Sequence, residues 1–270
     1  MSESVRAVER ALDILLCFSQ DGPVLSLTQI AEQVGMHKST VHRLLATLES
    51  RRFVHRDKAT GLYRLRFRFI EMASLVLENA DLRRWAQPYL RHLSFECGET
   101  IDLAVLDGAH VIYLDVVESP QRVKIAAAVG QRLPAFCTAS GKAFMAYLPD
   151  DEVRNILDKG LTKYTEHTLL SLADLIEDLR LTRERGFANS EQEFENDIHV
   201  VAAPILDASG YPVAVIAIVG PSYRLPRERM LGLGQSIRAT TNAIAHDVGL
   251  TALTAILSKT AVPVNGGQAS

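Results

Sequence analysis

Between Met36 and Arg68 stand nine basic side chains, Lys38, Arg43, Arg51, Arg52, Arg56, Lys58, Arg64, Arg66 and Arg68, against only Glu49 and Asp57. Phosphate is the chemistry such a run suits, because each Lys or Arg that meets a nucleic-acid phosphate releases a condensed counterion. A charge run is usually just a solvated face, but this one overlies a spacing with steric meaning. Ala31 supplies the small residue one helix needs where a second crosses it, and Gly35 follows four residues later, where the turn needs left-handed φ. Val41 and then Leu44 are expected to bury branched side chains, with Ile30 and Leu48 adding core. That is helix-turn-helix spacing, and it leaves Lys38, Ser39, Thr40, His42 and Arg43 on the outward face of the second helix. Such a helix enters the major groove with its N-terminal residues against base edges. Arg43 suits a bidentate contact with guanine, and Ser39 and Thr40 suit phosphate. His42 has an alternative reading as an ordinary surface histidine. Arg52, Arg56 and Arg64, on or beside the hairpin that follows, would neutralise further phosphates or enter the minor groove.

Other residues invite enzyme readings that fail on spacing. Ala139-Ser140-Gly141-Lys142 resembles part of a phosphate loop, but that loop needs Gly where Phe136 stands and Ser or Thr where Ala143 stands. Ser140 as a nucleophile would need Gly at Thr138. The eight histidines are scattered, with no HExxH. Cys17, Cys97 and Cys137 are odd in number and far apart, so they predict reduced core thiols, not a disulfide framework or zinc finger. Glu191, Glu193, Glu195 and Asp197 read as a solvated loop or a pocket rim before they read as acid/base machinery. No catalytic residue, metal or cofactor is expected.

The elements that would position these residues follow from periodicity. A first helix is predicted over about Val5–Phe18, with Val8, Leu12, Leu15 and Leu16 as its apolar face. Ser26 should cap a short helix over Leu27–Val34, and a third helix should run His37–Ser50. Arg52–His55 and Leu62–Leu65 alternate as two strands around Gly61. A helical connector is expected from Phe69 to Asn79, then a helix from Asp81 broken or kinked near Gln87 by Pro88. Strands are expected at Thr100–Leu106, Val111–Val117 and Arg122–Ala127, and helices at Thr138–Leu148, Asp150–Leu157 and from Ser171 to Gly186. Ile198–Leu206 and Tyr211–Val219 flank a hairpin signal, a long helix follows Pro226, and Lys259–Ser270 is expected to be disordered. Strands in hairpins with helices grouped around them indicate α+β.

Composition agrees with two domains. At 270 residues, 47% hydrophobic and 23% charged, the chain can build two cores. No apolar run is long enough to span a membrane and no secretory leader is evident, so a cytoplasmic location is expected. The net charge of −3 divides unevenly: residues 1–75 carry +3, leaving −6 for the rest. A basic module on an acidic body fits a protein of which one part meets phosphate.

With these residues in hand the chain resembles the IclR family of transcription regulators over nearly its whole length. The N-terminal match lies in Arg10–Leu15, Leu27–Glu32, Met36–Leu45, Thr47-Leu48, Phe53-Val54 and Tyr63–Leu65. In the second half it lies in Gly98–Asp107, Thr138–Ala146, Arg185–Phe187 and Val201–Asp207, the more diagnostic part. The resemblance implies a winged helix-turn-helix over 1–78, a GAF-like α+β effector domain over 79–251, and an end of helix and tail over 252–270. It also implies binding to partly palindromic double-stranded operators by homodimers or dimers of dimers, with a small-molecule effector and no membrane. Carried over from members that sense small keto acids, the effector residues are Ala139 and Ser140, whose backbone amides open a helix, and Ser190, Val200, Ala217 and Val219. Acidic, thiol or hydroxyl groups in those members are shorter or apolar at the last four positions here. Val200 and Leu206 also depart from the family fingerprint. The effector expected is therefore a small organic acid, aromatic or larger and more apolar than a keto acid; the alternative for Ala217 and Val219 is plain core. A second function class stays open: a small-molecule or enzymatic domain whose helix-turn-helix serves only dimer contacts, which sequence-specific duplex binding would exclude.

Overall fold

The computed structural model describes residues 5–19, 22–72, 81–125 and 127–247. The fold divides into two compact units, Met1–Asn79 and Ala80–Ser270. The 78/79 boundary read from sequence falls among residues 73–80, outside those described, as do the end of the connector and everything after 247.

In the first unit, α1 (Arg6–Leu16), α2 (Leu27–Gln33) and α3 (Lys38–Ser50) precede a three-stranded sheet. Its strands β1 (Val24–Leu25), β2 (Val54–Arg56) and β3 (Tyr63–Leu65) run antiparallel in the order β1-β3-β2. Ser26 starts α2 through a capping box: the Gln29 amide donates to its hydroxyl at 3.2 Å and the Ser26 amide donates to Gln29 Oε1 at 2.9 Å. Gly35, at φ +62°, makes the turn into α3. Ile14, Ile30, Val41, Leu45 and Val54 fill the core with Leu25, Ala31 and Tyr63. Two details correct the sequence reading. Leu45 is buried and Leu44 half-buried, a one-residue difference in helix phase that two adjacent leucines conceal. On α1 Ile14 is buried and Leu15, of the predicted stripe, packs partly buried against the core, while Val8, Leu12 and Leu16 lie exposed, because the face turned to α3 is rotated from the centre of that stripe. Strand β1 was unforeseen; two residues are too short to show a period.

The second unit contains α4 (Asp81–Cys97), β4 (Thr100–Asp107), β5 (His110–Val117), β6 (Arg132–Pro134), α5 (Ala139–Met145) and α6 (Asp150–Leu157). After these come α7 (Leu172–Arg185), β7 (Ala188–Glu191), β8 (Ile198–Leu206), β9 (Pro212–Pro221) and α8 (Arg227–Asp247). Six strands form one antiparallel sheet ordered β6-β5-β4-β9-β8-β7. Because side chains alternate across a strand, Ile101, Leu103, Val201, Ala203, Ile216 and Ile218 face one side, where α4 and α8 cover them. Asp102, Ala104, Val200, Ala202, Val215, Ala217 and Val219 share the other side, over which α5 lies. Helix α4 runs continuously through Pro88, with no break at Gln87. Among the described residues of 122–127 no strand forms; β6 instead takes the edge of β5 at its start, pairing Val111 with Leu133 and Ile112 with Arg132. Strand β7, short and polar, was also unforeseen. Cys97 and Cys137 are buried free thiols, burial pushing the latter to about 12, whereas Cys17 is only half-buried. Among the described residues no helix is long and apolar enough to cross a membrane.

Helix α5 approaches the preceding chain so closely that one position of its first turn, Gly141, must lack a side chain. A Cβ on Gly141 would lie 2.0 Å from the Ala135 carbonyl oxygen, a backbone atom that cannot swing away. Gly141→Ala is therefore expected to lower stability by about 3 kcal/mol, the upper end of ordinary overpacking costs. Urea denaturation checks this; an unchanged midpoint would show that the strand-to-helix junction is looser than its geometry.

Candidate nucleic-acid interface and ligand cleft

In the first unit the face that α3 leaves open carries Lys38, Ser39, His42 and Arg43, all exposed, with Thr40 half-buried. Burial of Val41 and Leu45 dictates this, since residues three and four apart share a helix face. His37 caps α3: its Nδ1 accepts the Ser39 amide at 3.4 Å and lies 2.8 Å from the Ser39 hydroxyl. Arg56 on β2 and Arg64 on β3 sit one pair apart in the hairpin, Arg56 opposite Tyr63 and His55 opposite Arg64. The Arg56 guanidinium stands over the Tyr63 ring, 5.8 Å from its centroid, and the Arg56 amide donates to Glu49 Oε1 at 2.9 Å, tying the hairpin to α3. Arg52 lies before β2 in a left-handed turn at φ +65° and is exposed. Of the eight predicted phosphate- and base-reading residues, five thus lie on α3, two on the hairpin that follows it, and Arg52 in the turn between them.

In the second unit a cleft of about 590 Å³, counted out to its mouth, opens on the α5 side of the sheet. Ala139, Ser140, Ser190, Val200 and Val219 line it, five of the six predicted effector residues. The sixth, Ala217, is buried beside the cleft: it pairs with Asp102 on one side and Ala202 on the other, in the cluster that includes Ala139 and Ala143. Small side chains in that cross-strand row let α5 lie low over the sheet. Ile125, Ala127, Leu133 and Phe194 give the cleft apolar walls. At its helical end, the Thr138 side chain takes the Gly141 amide and the Thr138 carbonyl takes that of Lys142, so the amides of Ala139 and Ser140 precede the first helical hydrogen bond.

Sequence reasoning passed over the cleft's most polar member. Asp102, on β4, is wholly buried, and neither carboxyl oxygen has a hydrogen-bond partner. Burial raises it to about 7, because a charge in an apolar surround lacks solvation. Tyr113, which lines the same cleft, is pushed up by burial first and then by Asp102 and Glu195. The signal was present as a lone acid in the apolar run Thr100–Leu106, but its meaning depends on which strands flank it. Among the described lining residues there are two carboxyl groups, Asp102 and Glu195, and no Lys, Arg or His.

The acidic segment divides its labour. Glu195 and Phe194 line the cleft, whereas Glu193 turns inward to Lys142, whose Nζ lies 2.5 Å from Glu193 Oε1 and 2.7 Å from Asp178 Oδ2. Lys142, read above against a phosphate loop, is thus a buried cation held between α7 and the cleft rim. The Thr165 hydroxyl donates to the Gln192 carbonyl at 2.6 Å and the Thr168 hydroxyl to the Glu193 carbonyl at 2.7 Å. Gln192 (φ +65°) and Asp197 (φ +61°) adopt left-handed backbone at the segment's two ends, where the Asp197 amide donates to Gln192 Oε1 at 3.0 Å.

Comparison with known proteins agrees with both units. Residues 7–58 match the family profile of the IclR helix-turn-helix domain, and residues 74–246 that of the bacterial transcriptional regulator IclR C-terminal domain. The transcriptional repressor IclR of Escherichia coli strain K12 is 34% identical over 236 residues, 86% of each chain. The HTH-type transcriptional repressor AllR of the same strain is 30% identical over 251 residues, 93% of each chain. The crystal structure of the Thermotoga maritima IclR has a TM-score of 0.72 at 29% identity, covering 90% of this chain and 98% of that one.

Asp102 makes the pH dependence of stability testable. Its folded pKa, about 7, lies above the ordinary 3.8, so the folded state holds the proton more tightly and stability falls as pH rises through that window. The full swing is on the order of 4 kcal/mol. Glu193 is also pushed up by burial, so the comparison must isolate one group. Asp102→Asn is expected to remove that part of the slope: its melting temperature relative to wild type should climb from pH 4 to pH 7. A difference that stays constant with pH would contradict the assignment.

Proposed function

The chain belongs to the IclR family, transcription regulators rather than enzymes, and we propose that it binds a specific operator whose occupancy a small organic molecule in the cleft modulates. The DNA-binding unit and the effector-binding unit are those of the family; the residues, the ligand and the assembly are our reading. One observation carries it: α3 buries Val41 and Leu45 and turns Lys38, Ser39, His42 and Arg43 outward beside Arg56 and Arg64 of the hairpin. We take residues 1–78 as the DNA-reading module and 79–251 as the effector module. Arg43, with Lys38 and His42, reads base edges, while Ser39, Thr40, Arg52, Arg56 and Arg64 hold phosphates.

Two copies would read the two halves of a partly palindromic site. The exposed stripe Val5, Val8, Leu12 and Leu16 on α1 favours self-association, since an apolar stripe of that kind gains by being covered. The named relatives are repressors, and repression is the sense we adopt. An effector would act by changing how well both DNA-reading heads of a dimer reach their half-sites together. The apolar walls favour an aromatic or larger apolar body over a small keto acid. For an acidic effector, the amides of Ala139 and Ser140 are our choice to hold the carboxylate, since no cationic side chain lines the described cleft.

Selection from random duplex DNA tests the reading. The wild type is expected to enrich a two-fold-symmetric motif. Arg43→Ala should lose roughly 1–3 kcal/mol on that motif relative to single-base variants of it, while Arg64→Ala should weaken all sequences evenly and reduce the salt slope by about one. If wild type and Arg43→Ala both show only salt-sensitive general binding, the helix-turn-helix serves contacts between chains instead.

A further inference from the structure

Four acidic side chains of the second unit are buried among the described residues: Glu99, Asp102, Asp115 and Glu193. Three of them face a cation. Glu99 takes Arg224 at 2.7 Å and Arg229 at 3.4 Å, Asp115 takes Arg83 at 3.4 Å, and Glu193 takes Lys142. Asp102 has neither a cation nor a hydrogen-bond donor, and it lines the cleft. Its cross-strand neighbours are Ala217 and Val116, so no donor can be recruited from the adjoining strands at its own level. An isolated buried carboxyl costs folding energy in either protonation state, and an apolar residue of similar size would fill the same strand position without that cost. A strand position flanked by Ile101, Leu103, Ala104 and Val105 would gain from the exchange, unless the carboxyl meets its partner from outside the chain.

We propose that Asp102 selects the ligand: the cleft takes a small, largely apolar molecule bearing a hydroxyl or amine donor, which the Asp102 carboxyl accepts. This deepens the effector reading given above and rests on it. Ile125, Leu133, Phe194, Ile198, Val200 and Val219 surround the apolar body, and Asp102 supplies the acceptor below them. A site whose buried polar group is left unpaired discriminates strongly against the analogue that lacks the matching donor. Glu195, exposed at the rim, adds a second negative charge that favours a cationic amine over a neutral hydroxyl. The two donor classes are therefore separable.

The experiment is calorimetric titration of the full-length chain with three probes of matched shape: benzyl alcohol, benzylamine and benzyl methyl ether, the last lacking a donor. Wild type is expected to bind the alcohol or the amine at least about tenfold more tightly than the ether, the effect of one hydrogen bond to a buried acceptor. In Asp102→Val that preference should vanish while the melting temperature holds or rises. Asp102→Asn, which keeps a carbonyl acceptor without the charge, should restore preference for the alcohol over the ether but not for the amine. Ether bound as tightly as both donors by wild type, or a preference that survives in Asp102→Val, would overturn the assignment to Asp102 while leaving the cleft as the effector site. If no probe, ether included, binds wild type at millimolar concentration, this proposal and the effector reading of the cleft fall together. Operator selection is read separately and would stand.

Discussion

The near contact of α5 with the chain that precedes it governs the second unit. Gly141 lets the helix lie against the Ala135 backbone, and Ala139 and Ala143 meet Ala104, Ala202 and Ala217 on the sheet beneath. Bulkier residues anywhere in this layer would lift the helix, and with it the ring of atoms that bounds the cleft. Lys142 then secures the helix laterally. Its charge is buried where solvation is poor, and two carboxylates from different elements, Asp178 on α7 and Glu193 on the rim, compensate it. Such an arrangement contributes little net stability over an apolar filling, yet it tolerates few alternative positions for the three elements it joins.

The helix-turn-helix was legible because its demands are local. A small residue at Ala31, a left-handed glycine at Gly35 and a branched residue at Val41 are required by the crossing of two short helices, and their spacing is carried in one stretch of chain. The same locality explains the exact limits of β8 and α6, whose periodic runs end at turn residues. Where two solutions share one pattern, the sequence could not decide. Leu44 and Leu45 both suit the inner face of α3, and the apolar stripe of α1 reads the same whether it faces its own core or the outside.

The cleft was legible only in part, for the converse reason. Ser190, Val200 and Val219 were found by resemblance, and they converge because β7, β8 and β9 place them in one cross-strand row. Asp102 escaped notice because its importance lies in its neighbours, Ala217 and Val116, which are distant in sequence and become adjacent only through the register of β4 with β9 and β5. Lys142 was weighed against a motif to its immediate left and right, whereas the carboxylates that explain it lie on α7 and on the rim. The strand expected at Arg122–Ala127 failed similarly: its residues alternate, but the strand that pairs with β5 at His110–Ile112 is β6, further along the chain.

The rim segment between β7 and β8 has a consequence for how fast the cleft can exchange its contents. Successive residues serve opposite ends: Glu193 is anchored inward to Lys142, and Phe194 and Glu195 border the opening. The hydroxyls of Thr165 and Thr168 fasten the backbone on one side, and the Ser222 amide, donating to the Asp197 carbonyl at 2.7 Å, fastens it on the other. A lip pinned at three places cannot swing as a lid without breaking a buried ion pair. On this side of the cleft, exchange then depends on rotation of side chains such as Phe194, whose ring packs 4.9 Å from that of Tyr164, and not on rearrangement of the rim backbone. A ligand that fits meets a wall already in place and forfeits little affinity to ordering it.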